Sequence, residues 1–304
     1  MRILVVHNPS AGHDELSREA LTSTLQRAGH DVTWFEREAG NLASILRSPY
    51  DTVVVAGGDG SVAAVARALA GRELPIAILP AGTANNLART LGATADNLVE
   101  CLEDGRIVSF DLGMMEGSAG TRLFLEGVGR GPFADTVALF ELMKDQREHT
   151  DREEELAADL QVLRDSVLSS TACHASIERD NEETTGDFVM IEITNFGVIG
   201  PNLLLSPDAV PFDGLLDVFL VQADEREKLL SVICRQANSP PASAFPIRRA
   251  RRIRFRAPAG ERLHVDGETL DHDGPVDIRL SLLPGALRFY APRSKEDTSL
   301  GVRS

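Results

Sequence analysis

Lysine is scarce in this 304-residue chain: it occurs only at positions 144, 228 and 295, although Lys and Arg together number 31. No G-x-x-x-x-G-K-[ST] run exists, so a phosphate loop built on a Walker-type lysine is excluded. Cysteine is scarce too. Cys101, Cys173 and Cys234 are scattered without metal-ligand spacing, which excludes a disulfide framework and a thiolate metal site. Reduced, mostly buried thiols of a cytoplasmic protein are expected. No apolar run approaches the length of a membrane span, and Ile3 to Val6 is far shorter than a signal sequence needs. Internal repeats and low-complexity tracts are also missing, and only the tail after Arg293 is expected to fray. A formal charge of −15 argues against general nucleic-acid binding and disfavours static adhesion to anionic membranes.

At 43% apolar residues the chain can bury substantial cores, and its length suggests two domains. Up to about residue 112, strands (2–7, 31–35, 52–56, 75–79, 106–112) alternate with helices (14–28, 38–47, 61–70, 85–91, 95–104). That order predicts a doubly wound α/β domain with helices on both faces. From Leu123 the period turns to two, and strands are expected at 175–179, 188–195, 216–222, 252–257, 262–265 and 276–282.

The most telling stretch is Ala56-Gly57-Gly58-Asp59-Gly60-Ser61. Thr52 to Ala56 reads as a buried parallel strand. Ser61 to Ala70 reads as a helix, with Val62, Val65 and Leu69 at helical spacing and Gly71 as its stop. Glycines at such a junction let the backbone approach a bulky anion, and the N–H groups of the helix start point the same way. Asp59 could reach a metal riding on that anion. A tight turn with an exposed Asp is the plain alternative. Two further turns leave strand ends on the same side: Asn8-Pro9-Ser10-Ala11-Gly12, and Leu79-Pro80-Ala81-Gly82-Thr83-Ala84-Asn85-Asn86-Leu87-Ala88-Arg89. Open parallel sheets gather ligands at their C-terminal strand ends, and these three make a polar, nucleotide-sized crevice.

In this order the motifs resemble the diacylglycerol kinase catalytic family, which also includes sphingosine and ceramide kinases and bacterial lipid kinases. The likeness continues through Asp111-Leu112-Gly113, Thr194-Asn195, Pro207-Asp208-Ala209, Asp213-Gly214-Leu215-Leu216-Asp217-Val218, His264-Val265-Asp266-Gly267-Glu268 and Pro284-Gly285-Ala286-Leu287-Arg288-Phe289. The resemblance implies that ATP is bound by Asn8 to Gly12, by Gly57, Gly58, Asp59, Gly60, Ser61, Val62, Ala63 and Ala64, and by Gly82, Thr83 and Asn85. It implies a structural Mg²⁺ on Asp213 with the carbonyls of Val210 and Leu215, an all-oxygen set that suits a hard cation. It further implies that Asp266 or Glu268 accepts the proton of an attacking lipid hydroxyl, with Asp59 positioning Mg²⁺-ATP. Two residues depart from the family pattern: Glu36 stands where many relatives have Thr, and Asn86 where Asp is usual.

The expected architecture is thus an α/β ATP-binding domain over 1–112, rejoined by about 286–304, and a β-rich, sandwich-like lipid-substrate domain over 113–285. The crevice is expected between them, with no one sheet running through both halves. Within the second domain, 134–168 reads as helical, with Leu156, Leu160, Leu163 and Val167 on one face. A pair of solvated helices packed on a sheet and a mobile flap over a lipid chain both fit that segment. Arg248, Arg249, Arg251, Arg252, Arg254 and Arg256 form the one basic stretch, either an exposed strand face or a seat for anionic headgroups. His264, Asp266, Glu268, Asp271, His272 and Asp273 could instead be a Zn²⁺ or Mn²⁺ hydrolase site, with His264, Asp266 and Glu268 on one strand face, or a solvated turn. The reading is a lipid kinase acting on diacylglycerol or a sphingoid-type lipid at a membrane surface. It would be cytoplasmic or peripheral at the inner membrane face, without a transmembrane segment and with a homodimer left open. A NAD kinase-like enzyme and a silent nucleotide-binding regulator are the alternatives.

Overall fold

The computed structural model describes residues 1–9, 17–36, 41–143, 151–236, 245–270 and 272–293. The chain divides into two compact units, Met1–Phe110 with Gly285–Ser304, and Asp111–Pro284.

The first unit runs β1 (Arg2–His7), α1 (Arg18–Arg27), β2 (Asp31–Glu36), α2 (Leu42–Ile45), β3 (Thr52–Gly57), α3 (Asp59–Ala68), β4 (Ile76–Pro80), α4 (Asn86–Leu91) and α5 (Leu98–Asp104). β1 pairs parallel with β2 and β3, and β3 with β4. Val53, Val54 and Val55 are fully buried, as expected of a strand covered on both faces. Helix α1 starts where Ser17 Oγ accepts the Ala20 N–H at 3.1 Å. Ser10 to Leu16, and with them the expected beginning of that helix, lie outside the described residues.

The second unit holds β5 (Arg106–Gly117, beginning in the first), β6 (Gly120–Phe124), β7 (Gly127–Arg130), α6 (Pro132–Met143), α7 (Arg152–Ser169), β8 (Cys173–Arg179), β9 (Glu182–Thr194), β10 (Val198–Ile199), β11 (Leu203–Leu204), β12 (Leu216–Gln222), α8 (Arg226–Gln236), β13 (Arg248–Ala250), β14 (Arg252–Ala257), β15 (Leu263–Val265), β16 (Glu268–Leu270) and β17 (Val276–Ala291). β9 is central, antiparallel to β7, β8 and β12. Its neighbours bury two cores. Leu216 and Val218 of β12 enter an all-strand core with Phe188, Ile191 and Ile193. Phe219 and Val221 enter a second core with Phe133 of α6, Leu163 and Val167 of α7, and Leu229 and Ile233 of α8. The period of two breaks once in β9: opposite Val221 and Gln222 stand Met190 and Phe188, so Val189 is an extra residue in a bulge. Val189 and Met190 consequently both face the helical core.

Two expectations change. β17 runs unbroken for 16 residues rather than ending near 282. It pairs with β14 over Val276–Ser281 and with β4 at Phe289, so one ladder of fifteen strands replaces the expected separate sheets. The reason is that Pro284-Gly285, which reads as a break, is accommodated within the strand, Gly285 taking φ +56°. Helix α8, unforeseen, covers β12. The helical segment is a pair of helices, α6 and α7, as the packed-helix reading has it, with 144–150 outside the described residues. Leu163 and Val167 are fully buried on the sheet side and Thr136 Oγ1 donates to Ser166 Oγ at 3.0 Å, which supports the packed-helix reading.

Gly113 of β5 lies opposite Phe124 of β6, and a Cβ on Gly113 would collide with the Phe124 ring. Gly113→Ala should therefore cost about 1–3 kcal/mol by overpacking. Urea unfolding should show a lowered midpoint; an unchanged midpoint would contradict the packing.

Candidate functional site

In the first unit three turns follow the ends of neighbouring parallel strands. The Asn8 N–H donates to Ala56 O and the Ala81 N–H to Gly57 O, both at 3.1 Å, which extends the ladder past the strand ends. The glycines then let two turns touch through their backbones. A Cβ on Gly82 would collide with Gly58 Cα, and one on Gly57 would come within 2.7 Å of Ser61 Oγ. Gly82 is further clasped by Asn85, whose Oδ1 accepts its N–H at 2.9 Å and whose Nδ2 donates to its carbonyl at 2.6 Å. Asn85 takes φ +52°, a conformation Asn tolerates better than most residues. Thr83 sits within the turn so closed.

Asp59 lies in the first turn of α3, which starts two residues earlier than expected. Its carboxylate accepts the N–H of Asn86 at 3.0 Å and of Leu87 at 3.1 Å. It thus caps α4 from another helix, satisfying donors that a helix start leaves unpaired. Burial pushes the Asp59 carboxyl above its ordinary value, against the lowering effect of the N–H groups of Leu87, Asn86 and Asn85. The structure therefore gives Asp59 a definite role, tying the G-G-D-G turn to the G-T-A-N turn. Ser61, Val62 and Ala63 are buried in α3, and Ala64 is half-buried. Gly60 is different. Its φ is not positive, and a Cβ there would meet nothing within 4 Å. The protein's own packing does not ask for glycine at this exposed helix start. Pro9 is exposed, while Ser10, Ala11 and Gly12 lie outside the described residues. Glu36 is exposed, with Arg18 at 3.8 Å.

In the second unit, Val265-Asp266-Gly267-Glu268 forms a two-residue hairpin turn between β15 and β16. Asp266 and Gly267 have φ +51° and +70°, the combination of a type I′ turn. The expectation that His264, Asp266 and Glu268 share a strand face fails here, because the chain turns at Asp266. The Asp266 carboxylate accepts backbone N–H groups of Leu125 (2.9 Å), Glu126 (2.8 Å) and Gly127 (3.2 Å), and its own N–H donates to Gly127 O at 2.9 Å. Glu268, at the first position of β16, is exposed. His264 is 5% exposed, with Nε2 at 2.9 Å from Oε2 of fully buried Glu192. His272 Nε2 meets Pro275 O at 2.9 Å, and Asp271 lies outside the described residues. The cluster that reads as a Zn²⁺ or Mn²⁺ site is thus dispersed, and among the described residues no group of three His, Cys, Asp or Glu is placed to hold a metal.

The remaining motifs brace this hairpin. Asn195 Nδ2 donates to Asp111 O at 2.8 Å and Leu125 O at 3.2 Å, and its N–H to Glu126 O at 2.8 Å. Asp111 Oδ2 accepts the Gly214 N–H at 2.9 Å. Asp213 Oδ1 accepts the Leu215 N–H at 2.9 Å, and the Asp213 N–H donates to Val210 O at 3.3 Å. Oxygen donors in an exposed turn fit a water-rich hard cation in kind. A fixed positive charge is present as well: Arg249 Nε contacts Asp217 Oδ1 at 2.8 Å, and its guanidinium also donates to Asp208 O. In the basic stretch, Arg254 is bidentate to Asp277 (2.8 and 2.7 Å) and Arg256 meets Glu183 at 2.5 Å. These cross-strand pairs support the exposed-strand reading of that segment. Sequence reasoning missed Glu192. Its signal was a lone carboxylate inside Val189-Met190-Ile191-Glu192-Ile193, with Gly127 and Gly129 in the neighbouring strand.

Residues 2–115 match the diacylglycerol kinase catalytic domain, and residues 149–291 the YegS C-terminal NAD kinase beta sandwich-like domain. A relative from Pseudomonas aeruginosa (strain PAO1), named "Probable lipid kinase YegS-like", is 30% identical over 95% of this chain and 94% of its own length. A "Diacylglycerol kinase" from Mycobacterium tuberculosis (strain H37Rv) is 28% identical, covering 96% of each chain. Among solved structures, a diacylglycerol kinase from Bacillus anthracis str. Sterne superposes with a TM-score of 0.71 at 20% identity, covering 96% of this chain and 97% of the other. An NAD kinase from Archaeoglobus fulgidus in complex with ATP gives 0.57 at 14% identity, covering 99% and 97%; at such identities the likeness is one of fold. Glycine-built strand ends in one unit, a braced D-G-E hairpin in the other and a relative matched over nearly its full length lead to one conclusion: the chain belongs to the diacylglycerol kinase and YegS-like family of lipid kinases.

Proposed function

We propose that this chain is an ATP- and Mg²⁺-dependent kinase transferring the γ-phosphate to a lipid hydroxyl, of diacylglycerol or of a sphingoid-type lipid. The observation that carries the nucleotide half is Gly60, a glycine at a helix start with open space around it and no conformational need of its own. A bulky anion lying against that backbone supplies the need. With no lysine before position 144, phosphate charge is met by the N–H groups at the start of α3 and by Mg²⁺, which neutralises charge on the transferred group. Asp59 acts by fixing the two turns against each other, and Thr83 and the Asn8 turn complete the nucleotide site.

The acceptor half rests on the D-G-E hairpin. Asp266 is bound by three backbone N–H groups, so its lone pairs are directed inward. Glu268 is exposed beside it and is the residue assigned to accept the proton of the lipid hydroxyl. Asp213, with the carbonyls of Val210 and Leu215, is assigned to the structural Mg²⁺. No described helix is long and apolar enough to cross a membrane, so the substrate would be met by peripheral contact with the bilayer.

Transfer of label from γ-labelled ATP to a total lipid extract, beside a parallel reaction with NAD, tests the reading. Labelled lipid is expected; label on NAD alone, or on neither, would overturn it. Gly60→Ala should leave the melting temperature the same or slightly higher, as helix propensity favours Ala by about 1 kcal/mol, while ATP affinity falls about tenfold or more. Undiminished affinity would remove Gly60 from the site.

The two carboxylates should separate cleanly. Glu268→Gln should lower turnover about 10²–10⁴-fold at unchanged stability and ATP affinity. Asp266→Asn keeps the turn conformation, since Asn suits φ > 0. It loses a charged acceptor of three N–H groups, so stability should fall by about 2 kcal/mol. Wild-type turnover in Glu268→Gln would refute the assignment of the base.

Asp213→Ala should abolish any rise in melting temperature that Mg²⁺ produces in the wild type. If both proteins respond equally to Mg²⁺ in differential scanning calorimetry, the ion sits elsewhere.

A further inference from the structure

Glu192 is a fully buried carboxylate in the middle of β9 to which the proposed chemistry gives no part. Its partner, His264, is not on the adjacent strand. Glu192 lies opposite Gly129 of β7, and Gly129 lies opposite His264 of β15. The carboxylate reaches across β7 because Gly129 has no side chain; a Cβ there would collide with it. The row continues outward. Opposite His264 stands Thr269 of β16, next to Glu268. The Thr269 N–H is held at 3.0 Å by Glu141 of α6, and Phe133 of the same helix lies 6.4 Å, centroid to centroid, from the His264 ring. The D-G-E hairpin is thereby fixed from beneath by one charged pair and from the side by one carboxylate.

We infer that Glu192 and His264 are positioning residues for the reaction: the proton they share holds the β15–β16 hairpin, and with it Glu268, in its working place. The inference rests on the assignment of Glu268 above. Isolated buried charges are costly, whereas a paired one ties its two strands together. Among the described residues Glu192 Oε1 and His264 Nδ1 have no hydrogen-bond partner, so the contact between Nε2 and Oε2 is the polar tie this pair makes there.

Charged residues on the neighbouring described elements add to the pair or are engaged elsewhere. Asp266 faces His264 from the turn and adds negative charge. Asp135 of α6 is engaged with Arg262 at 2.9 Å and Ser170 at 2.6 Å. Arg130 of β7 is turned to Glu261 at 2.6 Å and to the carbonyls of Thr171 and Phe188. Burial pulls His264 down, but the charge and hydrogen bond of Glu192, with Asp266, outweigh it and leave His264 above its ordinary value. Burial likewise raises Glu192 against the pull of His264. For a raised histidine, the stabilisation is complete below its unfolded value and is lost as pH rises through the folded one. A raised carboxyl acts in the same direction. Losing the shared proton leaves an uncompensated negative charge inside, so the hold on the hairpin weakens on the alkaline side.

The test is the pH profile of kcat together with an NMR titration of the His264 ring. In the wild type the alkaline loss of kcat should coincide with deprotonation of His264, while KM for ATP stays within about twofold. Glu192→Gln keeps an acceptor for Nε2–H but leaves no charge to be stranded. Its kcat should fall several-fold at neutral pH, and its alkaline limb should disappear. A purely structural pair would not move that limb. If the variant folds poorly, the wild-type coincidence alone decides, since separate titrations overturn the inference. An unmoved limb in Glu192→Gln, with Glu268→Gln inactive, would overturn this inference and leave the base assignment standing. A fully active Glu268→Gln would overturn both.

Discussion

One carboxylate organises the second unit. Asp266 draws the N–H groups of Leu125, Glu126 and Gly127 around itself, so the loop after β6, the start of β7 and the turn between β15 and β16 become one object. Three charge-assisted bonds to main-chain donors are stronger than the same number of neutral ones, and all three are non-local, joining residues about 140 positions apart. Asn195 grips the opposite side of that loop at Leu125 O and passes the constraint to Asp111 and thence to Gly214. Side chains that look separate in the chain are links of one hydrogen-bonded path, and the exposed Glu268 is placed by its end.

The first unit obeys a related logic with the roles of backbone and side chain exchanged. There, missing side chains set the geometry: Gly58 and Gly82 permit main-chain contact between two turns, and Asp59 and Asn85 keep it closed. A carboxylate in the first turn of one helix caps another. Both arrangements place a rigid, polar main-chain surface beside a residue that stays accessible, Gly60 in one unit and Glu268 in the other. Rigid support of an accessible group is what phosphoryl transfer asks of a protein, since positioning and charge stabilisation supply most of its rate.

The fold was legible where local pattern and tertiary demand agree. The valine run at 53–55 is a parallel strand, the helix-period stripe through Leu163 and Val167 faces a core, and the glycine turns lie at strand ends. It was less legible where a residue's role is defined by a distant partner. His264 looks like a ligand in sequence because nothing nearby reveals Glu192, 72 positions earlier and two strands away. For Asp266, the φ of +51° and the three N–H donors depend on a loop that sequence spacing does not predict. The bulge at Val189 and the unbroken passage of β17 through Pro284-Gly285 escaped for the same reason: each is a compromise between strands, not a property of one.

The course of β17 has a consequence for how the chain is made. On the ribosome the strands β1 to β4 emerge first, but among the described strands the neighbour on the far side of β4 is β17, which pairs with it at Phe289, more than two hundred residues after Ile76. Until then that parallel sheet has an open, apolar edge, the kind of surface that recruits other chains. The first unit is thus completed last, and its late strand is the same one whose beginning closes β14. Synthesis from N- to C-terminus cannot finish the two units one after the other; the nascent protein must hold one of them unfinished while the other is built.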